Sequence, residues 1–313
     1  MIRWTVNKMQ EEPKLEIIVN IEKVEVSLRD YLKSSGISSS LIKELKYVQG
    51  LLINDVVSMS NSPVHNGDKI TLLLNAANRE TDLEPVPMII KIIYEDQYLI
   101  AIDKPANTVV HPAGEHINDS LANNLAYYFK QREIKTKIRP VSRLDKDTTG
   151  IIIFAKNSYT QEEMKKQQQT KTFKKFYYGI VSPIPAVAEG EIDKPIARNP
   201  DSIMLRCISP EGKKAVTKYK TIQTYSLSSS KENLALVRFQ VITGRTHQIR
   251  VHCLSEGFPL IGDDLYNPDG PLNGLIDRQA LHCYKVEFIH PGTRAIMKFN
   301  SPLPADMLRI INH

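Results

Sequence analysis

The sequence of 313 residues contains few cysteines and only one tryptophan. Cys207, Cys253 and Cys283 are odd in number and lack the Cys-x-x-Cys spacing of common zinc sites. They argue against a disulfide framework and against a cysteine-based metal site. Unpaired cysteines are typical of a reducing compartment, so the expected location is the cytoplasm.

Long apolar runs and several familiar loops are also missing. No apolar stretch approaches the ~20 residues that span a bilayer, so no membrane partner is expected. Residues 1–14 contain Glu11 and Glu12 and no apolar core, which argues against a signal peptide. Phosphate-binding loops of the Gly-x-x-x-x-Gly-Lys-Ser/Thr and Gly-x-Gly-x-x-Gly types are absent, and so is the Gly-x-Ser-x-Gly of α/β-hydrolases. No pair of histidines has metal-ligand spacing with a third ligand, so no metal is expected.

The chain has a moderate excess of positive charge, with a net charge of +6 and a pI of about 9.0. Residues 1–80 contain as many acidic as basic side chains, so the whole excess lies in residues 81–313. This excess favours a polyanionic partner. The alternative for any single lysine is an ordinary solvated surface position.

Residues 15–75 read as a small compact unit. Leu28, Tyr31 and Leu32 have helical spacing, and the serines at 38–40 can cap a second helix. Short strands at 50–57 and 68–74 follow, separated by a turn-forming Asn-Gly pair. The polar, proline-containing residues 76–87 then predict a linker.

Residues 88–313 show recurring strand patterns and predict an α+β domain around a large, mainly antiparallel sheet. The strands are expected at residues 88–94, 98–103, 150–155, 175–181, 215–222, 234–242 and 285–289. Two helices are expected, at residues 120–132 and 158–169, with Thr160 as the cap of the second.

The segment 140–150 is the most informative stretch for function. It places Asp145 in a loop rich in Arg, Thr and Gly, directly before the apolar run 151–155. A carboxylate there can be held rigid and partly desolvated, with Arg143 near enough to keep it ionised, as a nucleophile or general base requires. The alternative is an Asp in an ordinary turn, since these residue types favour turns.

Four ordered motifs resemble those of the RluA family of pseudouridine synthases. Arg143-Leu144-Asp145, followed by Thr-Thr-Gly at 148–150, resembles that family's Arg-Leu-Asp motif. Residues 103–112, 243–252 and 257–282 resemble its other motifs in the expected order, so the resemblance covers roughly residues 88–305. Ser142 and Thr149 depart from it, standing where many members have His and Ser. Neither departure removes a group that the chemistry needs.

The resemblance implies an isomerisation in which uracil leaves C1′ of its ribose, rotates and rejoins through C5. No cofactor is expected, because nothing is oxidised or hydrolysed in net terms. Asp145 is implied as the essential carboxylate and Arg245 as its bidentate partner, with an RNA-phosphate contact as the alternative for Arg245. Arg143 is implied to hold the flipped nucleotide or fill its place. Arg250, on a presumed strand, is expected to be structural or phosphate-facing.

The strand at 175–181 matches the one whose tyrosine lies beside the target base in the family. Tyr177 is the expected residue, able to stack on uracil and relay a proton, and Tyr178 is the alternative if the register differs by one. Only one of the two can face the pocket, since side chains alternate along a strand. His111 and His247 are expected to be hydrogen-bonding scaffold near the pocket.

The N-terminal unit resembles the S-four-like RNA-binding domain, which is named for a ribosomal protein. In that domain the second helix offers a basic face to RNA, so Lys43 and Lys46 are candidates, together with Arg29 and Lys33 on the first helix. Asp55 stands where such domains often have Gly, which is expected to alter the turn.

The sequence therefore predicts a cytoplasmic, monomeric RNA pseudouridine synthase that acts on large-subunit ribosomal RNA, with transfer RNA as a second option. Two other classes stay open. One is a catalytically silent RNA-binding or ribosome-assembly protein on the same fold. The other is a glycosidase-like hydrolase, which needs two carboxylates across the bond, and Asp147 is the candidate for the second. Asp147 is expected to point into solvent or to cap the turn instead.

Overall fold

The structure, a computed structural model, describes residues 13–22, 26–76, 78–226 and 232–312. The first twelve residues, for which a signal peptide is not expected, lie outside the described residues. Within these ranges no helix combines the length and the apolar character needed to cross a membrane.

The N-terminal unit forms its own small sheet and buried cluster. Its elements are β1 (Lys14–Ile18), β2 (Val26–Ser27), α1 (Leu28–Ser34), α2 (Ser39–Tyr47), β3 (Leu51–Ile53), β4 (Val56–Val57), β5 (Pro63–Val64) and β6 (Lys69–Leu73). The sheet has the antiparallel order β1-β6-β3-β4, and β2 pairs with β5. Strand β1 was not predicted. The hydroxyls of Ser27 and Ser38 cap the two helices by accepting from the backbone N–H of Asp30 and Leu41.

The hairpin between β3 and β4 forms without the glycine that is usual at its turn. Asn54 and Asp55 both have left-handed backbone conformations, with φ of 51° and 66°. Asn and Asp tolerate this region better than other non-glycine residues. The turn is therefore still a tight two-residue hairpin turn, and what differs at Asp55 is the residue type.

The N-terminal unit packs directly on the rest of the chain. Tyr98 and Tyr159, which lie beyond the linker, belong to the buried cluster of the unit. The Ser38 hydroxyl donates to Glu162 Oε1 at 2.7 Å, and the Tyr98 hydroxyl donates to the carbonyl of Lys14 at 3.1 Å. The two parts therefore share one core cluster. The predicted division at the linker, residues 76–87, stays a prediction.

The larger part of the chain is built on one mixed sheet. Its strands are β7 (Lys91–Glu95), β8 (Leu99–Lys104), β9 (Arg139–Pro140), β10 (Thr149–Ala155), β11 (Lys174–Val181), β12 (Glu189–Asp193), β15 (Val216–Ser226), β16 (Asn233–Val241), β17 (Leu281–Ile289) and β18 (Ile296–Asn300). Beside it lie the hairpin of β13 (Ile196–Arg198) and β14 (Arg206–Ile208) and the helices α3 (Leu121–Gln131), α4 (Ser158–Gln169), α5 (Gln248–Ser255) and α6 (Ala305–Ile311).

The sheet runs in the order β12-β15-β16-β11-β17-β10-β8-β7, with β18 added to β17 and β9 to β10. Among the described strands, β10 and β17 are the one parallel pair and the other neighbours are antiparallel. The predicted α+β fold on a mainly antiparallel sheet is confirmed.

Strand β10 lies at the centre of this sheet and is buried along its whole length. It pairs with β17 through Gly150 and Cys283. Gly150 has a φ of 108°, and a Cβ there would lie 2.3 Å from the carbonyl oxygen of Cys283. The glycine of the Thr-Thr-Gly motif is therefore required by this close approach, which anchors the end of the Asp145 loop in the middle of the sheet.

Both predicted helices form, but two local predictions are wrong. Asn157, and not Thr160, caps α4, because its side chain accepts from the backbone N–H of Thr160. The segment that contains His247 and Arg250 was expected to be a strand, yet helix α5 begins after His247. Residues 248–253 are all buried, so no alternation of polar and apolar faces was present to identify the helix.

Candidate active site

A cavity of about 460 Å³ opens between the loop that follows β9, strand β11 and the segment that leads into α5. Its lining includes the predicted site residues Arg143, Asp145, Tyr177 and Arg245. It also includes Lys175, His247 and Arg250, which the sequence had not placed in the reaction. The fold thus brings together residues that lie about a hundred positions apart in the chain.

Asp145 lies in this cavity with its side chain 27% exposed. Its Oδ2 is 3.9 Å from Nη1 of Arg250, and its Oδ1 is 4.0 Å from Nε2 of His247. The carboxylate is therefore held between a cation and an imidazole while one side stays open to the cavity. A substrate atom could approach it from that side.

Lys104, the lysine of the Asp-Lys-Pro motif, holds the loop that carries Asp145 in place. Its buried ammonium donates to the carbonyls of Pro105, Thr108 and Lys146 at 2.7–2.8 Å. Burial lowers the pKa of Lys104 to about 7, and the nearby carboxylates of Asp147 and Asp145 oppose that shift. Three carbonyl acceptors match the three N–H donors of the ammonium form. Lys104 thereby joins the loop before α3 to the catalytic loop.

Arg250 is the arginine that approaches Asp145. It is buried, and its Nε and Nη2 donate to the two oxygens of Asp263 at 2.8 and 2.6 Å. This bidentate pair fixes the guanidinium plane and leaves Nη1 directed toward Asp145. Asp263 comes from the Gly-Asp motif after α5, which explains why that motif accompanies the site.

The predicted pairing of Arg245 with Asp145 is wrong. Arg245 is exposed at the edge of the cavity, and its Nε donates to the carbonyl of Lys214 at 2.9 Å. The turn that carries it is fixed by Gln248, whose side-chain oxygen accepts from the backbone N–H of Arg245 at 3.0 Å. Because α5 begins at Gln248, the second arginine of the motif turns inward and the first stays on the rim.

Tyr177 is buried on the wall of the cavity. The predicted residue, and not its alternative Tyr178, therefore faces the cavity. Burial, followed by the neighbouring Cys283 thiol and Asp145, raises the pKa of Tyr177 well above its usual value. The phenol therefore stays protonated and can stack or donate a hydrogen bond. Tyr178 lies on the opposite face of β11, where its ring stacks on Tyr284 at 3.9 Å between centroids.

Lys175 lies two residues before Tyr177 and faces the same cavity. Burial lowers the pKa of Lys175, whereas Cys283 and Asp145 act to raise it. The period-2 alternation of the strand could have identified this residue, because it shares a face with Tyr177.

His247 immediately precedes α5 and has a left-handed backbone, with φ of 55°. Its Nδ1 lies 2.8 Å from the hydroxyl of Tyr266, which also accepts from the backbone N–H of Arg206 at 2.9 Å. Burial lowers the pKa of His247, and Asp145 opposes that shift. The expectation of a hydrogen-bonding scaffold thus matches the contacts of His247. His111, in contrast, lies outside the cavity lining.

Two further residues of the catalytic loop face different ways. Arg143 is exposed at the opening of the cavity. Asp147 is not part of the lining, and its Oδ1 accepts from the backbone N–H of Asn107 at 3.0 Å. Asp147 therefore caps a neighbouring loop, and among the described residues Asp145 is the one carboxylate that lines the cavity.

The four predicted cations of the N-terminal unit lie on its surface. Arg29, Lys33, Lys43 and Lys46 are all exposed on α1 and α2. None of them lines the cavity around Asp145. In the part of the chain that the structure describes, no three His, Cys, Asp or Glu side chains are arranged to hold a metal ion.

Comparison with known proteins gives the same family from a family model and from similar sequences. The family model described as RNA pseudouridylate synthase matches residues 98–255. The uncharacterized RNA pseudouridine synthase YjbO of Bacillus subtilis is 35% identical over 91% of this chain and 98% of its own length. The ribosomal large subunit pseudouridine synthase D of Nitrosomonas europaea is 32% identical over 93% of this chain and 88% of its own.

Among solved structures, human RNA pseudouridylate synthase domain containing 1 superimposes with a TM-score of 0.57 at 21% identity. The match covers 70% of this chain and 86% of that one. This likeness concerns the fold. With the family model and the relatives, it leads to one conclusion: the chain belongs to the RNA pseudouridylate synthase family, in its RluA group, and is an isomerase that acts on RNA.

Proposed function

We propose that this protein converts uridine to pseudouridine in large-subunit ribosomal RNA, with Asp145 as the essential carboxylate and without a cofactor. The observation that carries the proposal is the position of Asp145, which faces an open cavity between Arg250 and His247. The choice of ribosomal RNA is supported by relatives named ribosomal large subunit pseudouridine synthase D at 31–33% identity. Transfer RNA is the alternative substrate.

The reaction breaks the bond between C1′ and N1, forms a bond between C1′ and C5, and moves one proton from C5 to N1. Asp145 would assist departure of the uracil, either by adding to the substrate or by taking a ribose proton. Arg250 would place a positive charge beside the carboxylate and fix its orientation, since it is itself held by Asp263. The isomerisation balances without an external oxidant, reductant or water.

Tyr177 would lie against the uracil ring while the base is detached. Its phenol stays protonated, so we assign it stacking and hydrogen-bond donation in place of proton abstraction. Buried apolar neighbours such as Leu144 and Leu281 line the same cavity and would limit the access of water to the intermediate.

Arg143 would act on the nucleotide outside the reacting atoms. A uridine within a stem must be flipped out at a cost of a few kcal/mol. The exposed guanidinium at the cavity opening is positioned to hold the flipped nucleotide or to fill its place. For the N-terminal unit, exposed cations on α1 and α2 support RNA binding by an S-four-like domain.

Two finer points complete the proposal. We propose a monomer, because one chain supplies Asp145, Tyr177, His247 and Arg250 to the cavity. We propose a cytoplasmic enzyme, because Cys207, Cys253 and Cys283 are all free thiols and relatives such as that of Nitrosomonas europaea are named ribosomal large subunit pseudouridine synthase D.

The alternatives are less well supported by the geometry. A glycosidase-like hydrolase would need a second carboxylate across the cavity. Asp147 lies outside the cavity lining, where it accepts a hydrogen bond from the backbone N–H of Asn107. A silent RNA-binding protein would not need Asp145, Tyr177 and Arg250 together in one cavity.

The test is site-resolved pseudouridine mapping in cells that lack the gene, rescued with wild type, Asp145→Asn or Asp147→Asn. We expect one or more uridines to lose modification in the deletion and to regain it with wild type and Asp147→Asn. Asp145→Asn should restore none, with RNA affinity within about threefold of wild type, because it removes charge and no bulk. Equal loss with both variants would give Asp147 a role beside Asp145, failure of wild type to restore any uridine would favour the alternatives, and restoration by Asp145→Asn would refute the assigned role.

A further inference from the structure

A second cavity adjoins the active site and is formed mainly by the hairpin of β13 and β14. It measures about 370 Å³ and is lined by Arg198, Arg206, Lys213, Arg245 and Thr246, among others. Arg245 and Thr246 also line the cavity around Asp145. The two cavities therefore meet at the turn before α5, and a chain leaving the first would enter the second there.

The second cavity, which we call the hairpin cleft, is strongly cationic. Its lining contains four Arg or Lys side chains and one carboxylate, that of Glu211. Within the described residues, Arg198, Lys213 and Arg245 have no acidic partner within 4.0 Å. Their charges are therefore available to an anionic ligand.

Lysines just outside the hairpin cleft are arranged differently. Lys218 and Lys220 on β15 lie 3.5 and 2.7 Å from Glu191 and Glu189 on β12. These lysines of β15 outside the cleft thus have carboxylate partners, whereas Arg198, Lys213 and Arg245 inside it have none among the described residues. General solvation of a basic surface does not explain this contrast.

The wall of the hairpin cleft is rigid. Ile196 and Lys213 exchange two backbone hydrogen bonds of 2.9 and 3.0 Å. Gly212 lies so close to Ile196 that a Cβ would be 2.6 Å from the carbonyl carbon of Ile196. The cleft is therefore preformed, which reduces the entropy lost when a ligand is bound.

The hairpin is also joined to the reacting residues. The backbone N–H of Arg206 donates to the Tyr266 hydroxyl, which lies 2.8 Å from Nδ1 of His247. His247 Nε2 in turn lies 4.0 Å from Asp145. A ligand in the cleft would thus be held at a fixed position relative to the catalytic carboxylate.

We propose that the hairpin cleft binds the phosphates of the RNA strand that leaves the uridine cavity, and that it takes this strand unpaired. The inference rests on the proposed function, since it assumes that uridine occupies the cavity around Asp145. The cleft meets the cavity around Asp145 at Arg245 and Thr246, so a single strand that leaves that cavity can continue into it. The enzyme therefore requires unpaired nucleotides on one side of its target, and Arg245 is a backbone contact.

The test uses two double variants that remove the same charge. Arg198→Gln with Lys213→Gln removes two cleft cations that have no acidic partner in the described part of the chain, and Lys218→Gln with Lys220→Gln is the control. Binding and turnover are measured on a ribosomal RNA fragment that the wild type modifies, and on two shortened fragments that lack the nucleotides 5′ or 3′ of the target uridine.

We expect the cleft variant to raise KM on the full fragment by about tenfold, with kcat changed less than threefold. The salt dependence of log Kd should become shallower by about 1.4, because each single-strand phosphate contact contributes about 0.7. On one of the shortened fragments the cleft variant and wild type should have equal KM. The control should match wild type throughout, and thermal melts should show all variants folded.

Equal weakening by both double variants would show a general charge effect and overturn the proposal. So would equal weakening by the cleft variant on all three fragments, or undiminished turnover on a fragment whose flanking nucleotides are paired on both sides. If wild type forms pseudouridine in no RNA, the proposed function fails. The binding comparison on the same fragments then still decides whether the cleft holds RNA.

Discussion

The cavity around Asp145 and the N-terminal unit use charged residues in opposite ways. Around Asp145, Arg250 and Lys104 are buried and each is fixed by specific partners, Arg250 by Asp263 and Lys104 by three carbonyls. In the N-terminal unit Arg29, Lys33, Lys43 and Lys46 are all exposed. Fixed charges favour one geometry, as chemistry on a single atom requires, whereas mobile surface charges favour affinity for an extended polyanion.

The energetic consequences of this difference are large. A buried ion that loses its partner keeps its full desolvation cost, whereas an exposed cation that is removed leaves only solvent behind. Substitutions around Asp145 should therefore change stability and turnover together. Substitutions on α1 and α2 should change RNA affinity alone.

The largest expected effect follows Arg250→Met. It leaves Asp263, whose side chain is 1% exposed, as a buried carboxylate without its partner, and we expect a loss of stability of about 3–5 kcal/mol in urea denaturation. Turnover should fall by roughly a thousandfold, because Asp145 loses the cation that orients it. The double variant Arg250→Met with Asp263→Asn should recover most of the stability and none of the turnover. Recovery of both would assign Arg250 a structural role only.

An intermediate effect is expected from Lys104→Met. The carbonyls of Pro105, Thr108 and Lys146 lose their donors, which should cost on the order of 3 kcal/mol in the free energy of unfolding. Lys91→Met is the matched control, since Lys91 is 67% exposed beside Asp103. That control should change stability by less than about 0.5 kcal/mol. Similar losses in both variants would show that Lys104 does not hold the loop.

The smallest effect is expected from Lys43→Gln with Lys46→Gln on α2. RNA affinity measured by filter binding should fall about threefold to tenfold, with stability unchanged, because both side chains are exposed. Lys135→Gln with Lys298→Gln removes two exposed lysines elsewhere and should leave affinity within twofold. An equal loss in that control would mean that net charge, and not the face of α2, attracts RNA.

Much of the fold could be predicted because the signals were local. The central strands carry continuous apolar runs, and α4 spans the predicted residues 158–169. Other elements were missed, among them β1, the largely exposed edge strands β12 and β18, the hairpin of β13 and β14, and α5, whose residues 248–253 are all buried. In α5, the burial of residues 248–253 removes the periodicity on which such predictions depend.

The sequence by itself determined the loop that carries Asp145 and the fact that Lys175 and Tyr177 share a face of their strand opposite Tyr178. These follow from neighbouring residues and from the alternation of side chains along a strand. Only the tertiary structure decided that Arg250 and not Arg245 approaches Asp145. The reason is physical: the choice depends on where α5 begins and on Asp263, which turns the second guanidinium inward and whose position relative to Arg250 no local pattern encodes.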